Sequence, residues 1–243
     1  MKSYKKVIEE RYDGREKGVH IYNNRYSLIN PIGFYSNQKI REVLYKIFNH
    51  FRKNDVDITK LKILDVGCGA GLHPRFMAEL LDNPSNINGI DLSSVRIEKA
   101  KKMNPAISYK AEDLLNLNVS SEYDIITAIV VFLHFTSPNE VTAALQRIYS
   151  ALKPDGFFIW YEIYARDHFN TKEIESEGYA PRQMDKFCLE IGFVKKLSMS
   201  LFRKIGKYNS FFLYQYFPSW IVTCFERLLF FCPPGIIITV YKK

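Results

Sequence analysis

The stretch KILDVGCGAGLHPRF, residues 62–76, constrains the fold of this chain more than any other stretch. An apolar run stands directly before Gly67, Gly69 and Gly71, and a helical pattern follows them. Glycines at a turn from a strand into a helix let the backbone approach a ligand, and the first amides of the helix face that ligand. The stretch therefore predicts a strand, a ligand-binding loop and a helix.

Two other interpretations of the glycines stay open on this stretch alone. A dinucleotide-binding fingerprint, GxGxxG, needs glycine at position 72, where the chain has Leu72, and this difference weakens an NAD-binding hypothesis. Glycines at this spacing also occur in tight turns that bind no ligand. Residues outside the loop are needed to distinguish these hypotheses.

Apolar runs alternate with helical patterns through the middle of the chain, which predicts parallel strands joined by crossover helices. The predicted strands are residues 62–67, 87–92, 106–113, 123–131 and 156–163. The predicted helices are residues 72–81, residues 93–103 with Ser93 or Ser94 as cap, and residues 139–152 with Asn139 as cap. The segment LKPDG, residues 152–156, is expected to end the last of these helices and turn into the fifth strand.

Acidic residues stand within or at the ends of three predicted strands. Asp91 follows Gly71 by 20 residues, a position from which a carboxylate can accept both hydroxyls of a ribose. Asp113 ends the third strand and can accept a hydrogen bond from an exocyclic amine such as that of adenine. Asp65 lies inside the first strand, where burial demands a partner, either a ligand amine or the loop amides.

Taken together, these residues resemble the class I S-adenosylmethionine-dependent methyltransferase family. The resemblance covers about residues 60–163 and is carried by five motifs in the order and approximate spacing of that family: ILDVGCGAG (63–71), GIDLS (89–93), AEDL (111–114), YDIITAIVVFLHF (123–135) and LKPDGFFI (152–159). It implies an α/β fold, a Rossmann-like doubly wound and mostly parallel seven-stranded sheet with helices on both faces. It also implies S-adenosyl-L-methionine as cofactor.

The resemblance assigns cofactor-binding roles by position. The loop would bear the methionyl part, Asp91 the ribose, and Asp113 the adenine amine, with Leu92 and Leu114 flanking the adenine ring. The backbone of Ala128 and Ile129 would meet the methionyl end. The full predicted set is Asp65, Gly67, Cys68, Gly69, Gly71, Asp91, Leu92, Glu112, Asp113, Leu114, Ala128 and Ile129.

Three residues are candidates for catalysis, because an oxygen nucleophile of high pKa must lose its proton in or before the transition state. His134, just past the fourth strand, is the first candidate for the base. The alternative is a histidine that shapes the pocket and moves no proton. Glu162 and His168, at and beyond the end of the fifth strand, are second candidates. A solvated loop position is the alternative for both residues and the favoured interpretation of His168.

Residues 1–60 are predicted to form a helical lid or cap over the cofactor. Apolar positions at helical spacing predict a helix packed on the sheet, namely Ile40, Val43, Leu44, Ile47, Phe48 and Phe51. The tyrosine-rich part before it contains Tyr22, Tyr26, Phe34 and Tyr35. Tyr12 or Tyr26 is a candidate contact for the methionyl carboxylate or the substrate, and core packing is the alternative for each tyrosine.

The last third of the chain resembles the family's final helix and its sixth strand in PRQMDKFCLEIGF and VKKLSMSLF, and its seventh strand in GIIITVYKK. The chain is thus predicted to be one domain over residues 1–243, with a core at 61–202, an aromatic insertion at 203–234 and a final strand at 235–243. Within the insertion, SWIVTCFERLLFFC is shorter than the ~20 apolar residues that span a bilayer and contains Glu226 and Arg227. Three hypotheses for the insertion remain: a wall of an apolar substrate pocket, a homodimer contact, or a membrane interface with Lys204 and Lys207 near anionic headgroups. Burial of its helix against the protein's own core is the alternative to all three.

The net charge, the N-terminal stretch and the cysteine content limit the classes of partner, the location and the metal sites that the sequence predicts. A net charge of +8 and a pI near 9.1 favour contact with anions, either nucleic acid, anionic lipid or a phosphorylated small molecule, and a basic, soluble surface without such a partner is the alternative. The basic residues are scattered and form no nucleic-acid recognition module, which disfavours nucleic acid. The charged N-terminal stretch does not resemble a secretory signal, so a cytoplasmic location is expected, with peripheral contact at the inner face of the membrane as an extension of it. Four cysteines without CxxC spacing predict reduced thiols and no metal site.

The leading functional hypothesis is methyl transfer to a small-molecule acceptor, at a hydroxyl oxygen of a sugar, a nucleotide-linked sugar, or a lipid or quinone precursor. Methylation of a protein or RNA is the first alternative, although VVFLHF stands where an NPPY-type tetrapeptide would indicate amide or base nitrogen methylation. A cofactor-binding scaffold without catalysis and an NAD-dependent oxidoreductase are the others.

Overall fold

One sheet of eight strands organises the chain and places the glycine loop near its centre. The computed structural model describes residues 6, 9–10, 12–13, 28–54, 56–135, 137–163, 169–171, 176–178, 180–205, 208–209, 213, 216–232 and 234–243. The strands of the sheet are β1 Ile63–Val66, β2 Ile87–Asp91, β3 Ser108–Ala111, β4 Tyr123–Ile129, β5 Leu152–Ile163, β8 Val194–Ile205, β9 Tyr208–Asn209 and β10 Pro234–Lys242. A separate antiparallel pair consists of β6 Phe169–Thr171 and β7 Ser176–Gly178.

The strand order β3-β2-β1-β4-β5-β10-β8-β9 confirms the predicted doubly wound topology. Strands β1 to β5 pair in parallel, and β10 runs antiparallel between β5 and β8. Seven strands match the predicted sheet. The two-residue strand β9 adds an eighth at the edge beyond β8, because β8 continues to Ile205, past the predicted end of the sixth strand at residue 202.

Helices cover both faces of the sheet, as predicted. They are α1 Pro31–Lys53, α2 Leu72–Leu81, α3 Ser94–Met103, α4 Pro138–Ala151, α5 Pro181–Ile191 and α6 Ser219–Leu228. Neighbouring residues of a strand point to opposite faces, so Ile63 packs with α1, α2 and α3, whereas Leu64 packs with α4 and α5. The six apolar positions predicted for α1 are all buried in the first of these two cores.

The predicted strand at residues 106–113 is shorter at both ends, since β3 is Ser108–Ala111, and two other predicted boundaries are wrong. The cap of α4 is Ser137, whose hydroxyl accepts a hydrogen bond from the Glu140 amide at 3.3 Å, and Asn139 lies inside the helix with its side chain exposed. Strand β5 begins at Leu152 rather than at residue 156. The pairing register jumps from Tyr123 opposite Leu152 to Ile125 opposite Phe157, so the predicted turn exists as a bulge within the strand. For α3, Ser93 is the cap, since its hydroxyl accepts from the Arg96 amide.

The segment between β8 and β10 leaves and re-enters the sheet at the carboxyl edge of the parallel strands. Ile236 of β10 lies opposite Ile163, the last residue of β5, and Pro234 lies opposite Arg203 of β8. Helix α6 belongs to this segment. The segment therefore starts and ends at the edge where β1 and β4 also end, which is the edge where open α/β sheets bind ligands.

Candidate functional site

The glycine loop joins β1 to α2 with all three glycines in the left-handed region, at φ 69°, 55° and 75° for Gly67, Gly69 and Gly71. Gly71 is the residue directly before α2, and a Cβ built there would lie 2.5 Å from the Tyr109 hydroxyl oxygen. A side chain at this position would meet both backbone strain and a collision. The loop therefore presents bare backbone at the carboxyl end of β1, as predicted from the glycine spacing.

Cys68 anchors the middle of this loop to β2. Its amide donates to the Ile90 carbonyl at 3.0 Å, and its own carbonyl accepts from the Gly71 amide at 3.0 Å. The side chain is buried, and burial raises the pKa of the thiol, with the Asp65 carboxylate adding to the effect. Cys68 is thus a neutral packing residue whose backbone, rather than its sulfur, belongs to the loop.

Asp91 at the end of β2 holds two parts of the site together. One carboxylate oxygen accepts from the Gly69 amide at 2.8 Å, and the other accepts from the Ser93 amide at 2.9 Å. A carboxylate oxygen has two lone-pair positions, so both oxygens keep capacity for a further donor. The Arg96 guanidinium lies 3.7 Å from the same carboxylate and packs against the Gly69 backbone.

The end of β3 carries Glu112 and Asp113 beside Asp91. The Glu112 amide donates to the Asp91 carbonyl at 2.9 Å, while its carboxylate pairs with Lys110 at 2.9 Å. Asp113 caps the short 3-10 helix Leu114–Asn116 by accepting from the Leu115 amide at 3.0 Å.

The two leucines expected to flank an adenine ring differ in accessibility. Leu92 is 36% exposed at the ligand edge, whereas Leu114 is 5% exposed and packs in the core beside α4. Of the pair, only Leu92 presents an open apolar face at this edge.

Strand β4 ends in a backbone conformation that β-branched residues rarely adopt. Val130 has φ 58°, a conformation that costs of order 1–3 kcal/mol. Its amide donates to the Tyr161 carbonyl at 2.8 Å, which holds the turn. The turn places Val131 against Gly67 and leads into the 3-10 helix Phe132–His134.

The two residues of β4 expected to meet the methionyl end lie on either side of the end of β1. Ala128 is buried and lies opposite Val66, the last residue of β1. Ile129 continues past that strand end, alongside the start of the glycine loop.

Asp65 is 1% exposed, and its partner is the Thr127 hydroxyl of β4, which donates to the carboxylate. The structure thus gives Asp65 a partner on the neighbouring strand in place of the expected loop amides. Burial raises the pKa of Asp65 to about 7, the Thr127 hydrogen bond opposes the rise, and the Asp91 charge adds to it.

His134 contacts the N-terminal segment, whereas Glu162 is buried beneath the turn that carries His134. The Tyr12 hydroxyl lies 2.7 Å from His134 Nε2, and the two rings meet edge to face. Glu162 is 1% exposed and accepts a hydrogen bond from the Leu133 amide at 3.1 Å. Glu162 therefore orients the turn that carries His134 and is not open to the crevice.

Residues 12–13 lie across the crevice between the ends of β2 and β4. The Arg96 guanidinium carbon lies 4.9 Å from the centre of the Tyr12 ring, within the range of a cation–π contact, and the Ser93 hydroxyl donates to Asp13. Arg96 and Thr127 carry no sequence signal that separates them from other polar residues of a helix and a strand, and sequence reasoning missed both. His168, Tyr22, Tyr26 and Lys207 lie outside the described residues.

A histidine that sequence reasoning did not single out follows the glycine loop in the first turn of α2. Burial lowers the pKa of His73 to about 4, and the charges of Arg41 on α1 and Arg75 on α2 lower it further. His73 is therefore neutral near pH 7.

Residues 63–156 match the model of a methyltransferase domain family. A ubiquinone biosynthesis O-methyltransferase of Pelagibacter ubique is 28% identical over 160 residues, which cover 64% of this chain and 60% of the relative. A protein of the same name from Rhodopseudomonas palustris is 31% identical over 124 residues, covering 49% of this chain and 47% of the relative. The chain thus matches less than two thirds of the length of these relatives.

Solved structures of low sequence identity share the fold. The magnesium protoporphyrin IX methyltransferase of Synechocystis PCC 6803, in a crystal structure with bound S-adenosylmethionine, superposes with a TM-score of 0.65 at 12% identity. The superposition covers 100% of this chain and 98% of that protein. The whole described architecture, including the segment around α6, therefore falls within one known fold.

Proposed function

We propose that the chain is a member of the class I methyltransferase family, in line with the match of residues 63–156 to a methyltransferase domain, and that it transfers a methyl group from S-adenosyl-L-methionine to a small-molecule acceptor. The observation that carries the proposal is the loop of bare backbone beside Asp91, whose carboxylate touches both the loop and the start of α3. A nucleoside needs acceptors for its ribose hydroxyls and its amine, and an open apolar face for its base. At one edge of the sheet, Asp91 and Asp113 supply the acceptors and Leu92 supplies the apolar face. These residues fit the cofactor.

When bound, the cofactor supplies a methyl group activated by a positively charged sulfur. The chain's own part is to hold that group and the acceptor in line and to exclude water. The methionyl part would lie against the bare backbone of the glycine loop, whose Cys68, Gly69 and Gly71 amides already donate within the protein, and Asp91 would accept hydrogen bonds from the ribose. Tyr12 and Arg96 cover the crevice between them.

We assign the proton transfer to His134 and a positioning role to Glu162. His134 Nε2 lies on the crevice side, where an acceptor hydroxyl would take the place of the Tyr12 hydroxyl. Because Glu162 holds the Leu133 amide, it fixes the direction in which His134 points. His168 remains a candidate from the sequence alone.

We propose an oxygen acceptor of small size, in line with the relatives named as ubiquinone biosynthesis O-methyltransferases. Another relative, from Streptomyces fradiae, is named as an N,N-dimethyltransferase of a dTDP-linked aminosugar and is 28% identical over 98 residues, so a nucleotide-linked sugar is the second acceptor class. A net charge of +8 suits a phosphorylated or lipid-linked acceptor. A cytoplasmic location and a homodimer stay predictions.

Calorimetry tests the cofactor assignment. S-adenosylmethionine and S-adenosylhomocysteine should bind and NAD should not. Asp91→Ala should weaken binding by about 1–3 kcal/mol because ribose hydroxyls lose a charged acceptor, whereas Glu98→Gln on the exposed face of α3 serves as the control. Binding of NAD alone would refute the proposal.

His134→Ala should lower the rate of methyl transfer about 100-fold or more while leaving the affinity for S-adenosylhomocysteine within a factor of about three. The comparison needs an oxygen acceptor that the wild-type chain methylates. Equal losses of turnover and cofactor affinity would make His134 a residue that shapes the pocket.

A further inference from the structure

Helix α6 turns its apolar residues away from the protein. Val222 is 1% exposed and is the residue that α6 buries, while Trp220 and Leu228 on the opposite side are 68% and 71% exposed. Thr223 and Glu226, on the flank beside Val222, are partly buried. An amphipathic helix packed on a soluble core has the reverse arrangement.

The chain on both sides of α6 continues this apolar surface. Tyr216, Phe230 and Phe231 are 77%, 76% and 72% exposed, and Phe217 is also exposed. We name residues 216–232 the aromatic cap. A cluster of large exposed aromatic side chains of this extent marks an interaction surface.

The charges around the aromatic cap are basic. Arg227 of α6 is exposed and lines, with Trp220, the side of α6 that faces α1. In the sequence, residues 203–234 contain four basic residues and one acidic residue. A groove of about 500 Å³ separates α6 from α1, with Phe34 and Lys39 on the α1 side. Its acidic residue, Glu42, is already paired with Lys39 at 3.4 Å and Lys46 at 2.6 Å.

We infer that the aromatic cap docks onto an anionic membrane surface, with its aromatic side chains in the interface between headgroups and acyl chains and Arg227 at the lipid phosphates. Trp, Tyr and Phe beside basic residues are typical of helices that lie in this interface. In the described part of the chain, no helix is long and apolar enough to cross a bilayer. The ten residues of α6 thus suit a helix lying in the plane of the surface.

A second copy of the chain fits this surface less well. A twofold interface brings the same patch of both copies together, so it would enclose the exposed Arg227 of both copies in one apolar interface. Anionic headgroups neutralise these charges instead. Charge complementarity therefore favours lipid over self-association.

Docking at this place would bring the crevice to the membrane. The segment carrying the aromatic cap leaves and re-enters the sheet at the edge where β1, β4 and β5 end, and His134 lies past the end of β4 at the same edge. On the proposed function, an acceptor dissolved in the bilayer would thus enter from the docked side. The docking itself does not depend on that function.

Tryptophan fluorescence isolates the aromatic cap, because the chain has two tryptophans and Trp160 is fully buried in the core. In the Trp160→Phe variant, emission from Trp220 should shift to the blue with vesicles of equal parts phosphatidylcholine and phosphatidylglycerol, and brominated acyl chains should quench it. The Trp220→Phe variant, which keeps Trp160, should show neither change. Absence of both signals from Trp220, in a variant that still melts cooperatively, would overturn the proposal.

Co-sedimentation with the same vesicles supplies a second measurement on the unaltered core. The triple variant Trp220→Ser, Leu228→Ser, Phe231→Ser should lower the partition coefficient roughly tenfold or more. Leu189→Ser, which removes a 71% exposed leucine of α5, should leave it unchanged. Arg227→Glu should weaken binding to the anionic vesicles and flatten its dependence on salt.

The remaining outcomes separate the occupants and the two proposals. Equal binding of wild type and triple variant would refute docking through the aromatic cap. A dimer in sedimentation equilibrium that only the triple variant dissociates would assign the surface to a second copy. The triple variant should bind S-adenosylhomocysteine with the affinity of the wild type. If the wild-type chain does not bind the cofactor, the proposed function is refuted, whereas the result with vesicles is unaffected.

Discussion

Asp65 is a buried acid whose proton affinity differs between the folded and the unfolded chain. Burial raises its pKa from 3.8 to about 7 in the folded chain. Between these two values the folded state keeps the proton that the unfolded state has lost. The stabilisation from a neutral Asp65 is therefore complete below about pH 4 and disappears as the pH rises through about 7, a difference of at most ~4 kcal/mol.

Asp65→Asn imitates the neutral carboxyl at every pH, so the variant should gain stability relative to wild type as the pH rises from about 5 to 8. Urea unfolding at both pH values measures the difference. Glu98→Gln, whose parent carboxyl has a pKa lowered by Lys101, should not show this gain. A constant difference between Asp65→Asn and wild type across this range would contradict the raised pKa.

Single residues mark the limit of what the sequence predicts about the site. Gly67, Gly71 and Asp91 are identifiable because their spacing follows from a strand, a tight turn and a second strand of fixed length. Thr127 is not, because its pairing with Asp65 depends on the register between β1 and β4, where these two residues lie opposite each other. Val130 resists prediction for another reason, since its conformation opposes its own propensity.

At the scale of elements, the turn from β1 into α2 depends on the contact between Gly71 and Tyr109. A methyl group at position 71 would meet the Tyr109 hydroxyl oxygen at 2.5 Å, on a backbone with φ 75°. Among the described residues that hydroxyl has no hydrogen-bond partner, so its removal costs little. Gly71→Ala should destabilise the chain by about 1–3 kcal/mol, and Tyr109→Phe alone should be close to neutral.

The double variant Gly71→Ala, Tyr109→Phe should recover only the part of that loss due to the hydroxyl oxygen, because the Tyr109 ring carbon Cζ at 2.9 Å and the Ala100 Cβ at 3.2 Å would remain, together with the positive φ. Thermal unfolding of the four chains gives the coupling energy directly. Additive effects of the two substitutions would mean that the contact with the hydroxyl oxygen contributes nothing to the loss.

The start of α4 gives a matched pair of neighbouring substitutions. Ser137→Ala removes the hydroxyl that accepts from the Glu140 amide and should cost about 1 kcal/mol. Asn139→Ala, inside the first turn with an exposed side chain, should change the free energy of unfolding by no more than a few tenths of a kcal/mol. Chemical denaturation of both variants measures the difference, and a larger loss in Asn139→Ala would restore the cap predicted from the sequence.

Elements of regular period were predictable, and the exceptions have local causes. The helix α1 and the strands β1 and β2 follow from apolar spacing, which records burial directly. At α4, two cap-forming residues stand on either side of Pro138, and proline favours the first helical position, which makes Ser137 the cap. Strand β5 begins at Leu152 because this residue already pairs with Tyr123. The four residues that follow it form a bulge, whose sequence is the same as that of a plain turn.

At the scale of the whole molecule, residues far apart in the chain close the crevice together. Tyr12 contacts Arg96 of α3 through its ring and His134, after β4, through its hydroxyl. Asp13 adds a bond to Ser93. The three contacts join the N-terminal segment to both halves of the sheet, so we expect them to slow the release of a ligand bound at this edge.

Tyr12→Ala removes the ring and the hydroxyl, and it should speed the release of S-adenosylhomocysteine about tenfold, since a cation–π contact and a hydrogen bond are lost together. Tyr12→Phe keeps the ring on Arg96 and should speed release only a few-fold. Stopped-flow displacement measures both rates, and Tyr45→Ala on the exposed side of α1 is the control. If Tyr12→Phe released the ligand as fast as Tyr12→Ala, the hydroxyl bond to His134 would hold the segment closed. Release at the wild-type rate in both variants would mean that the N-terminal segment does not cover the ligand at all.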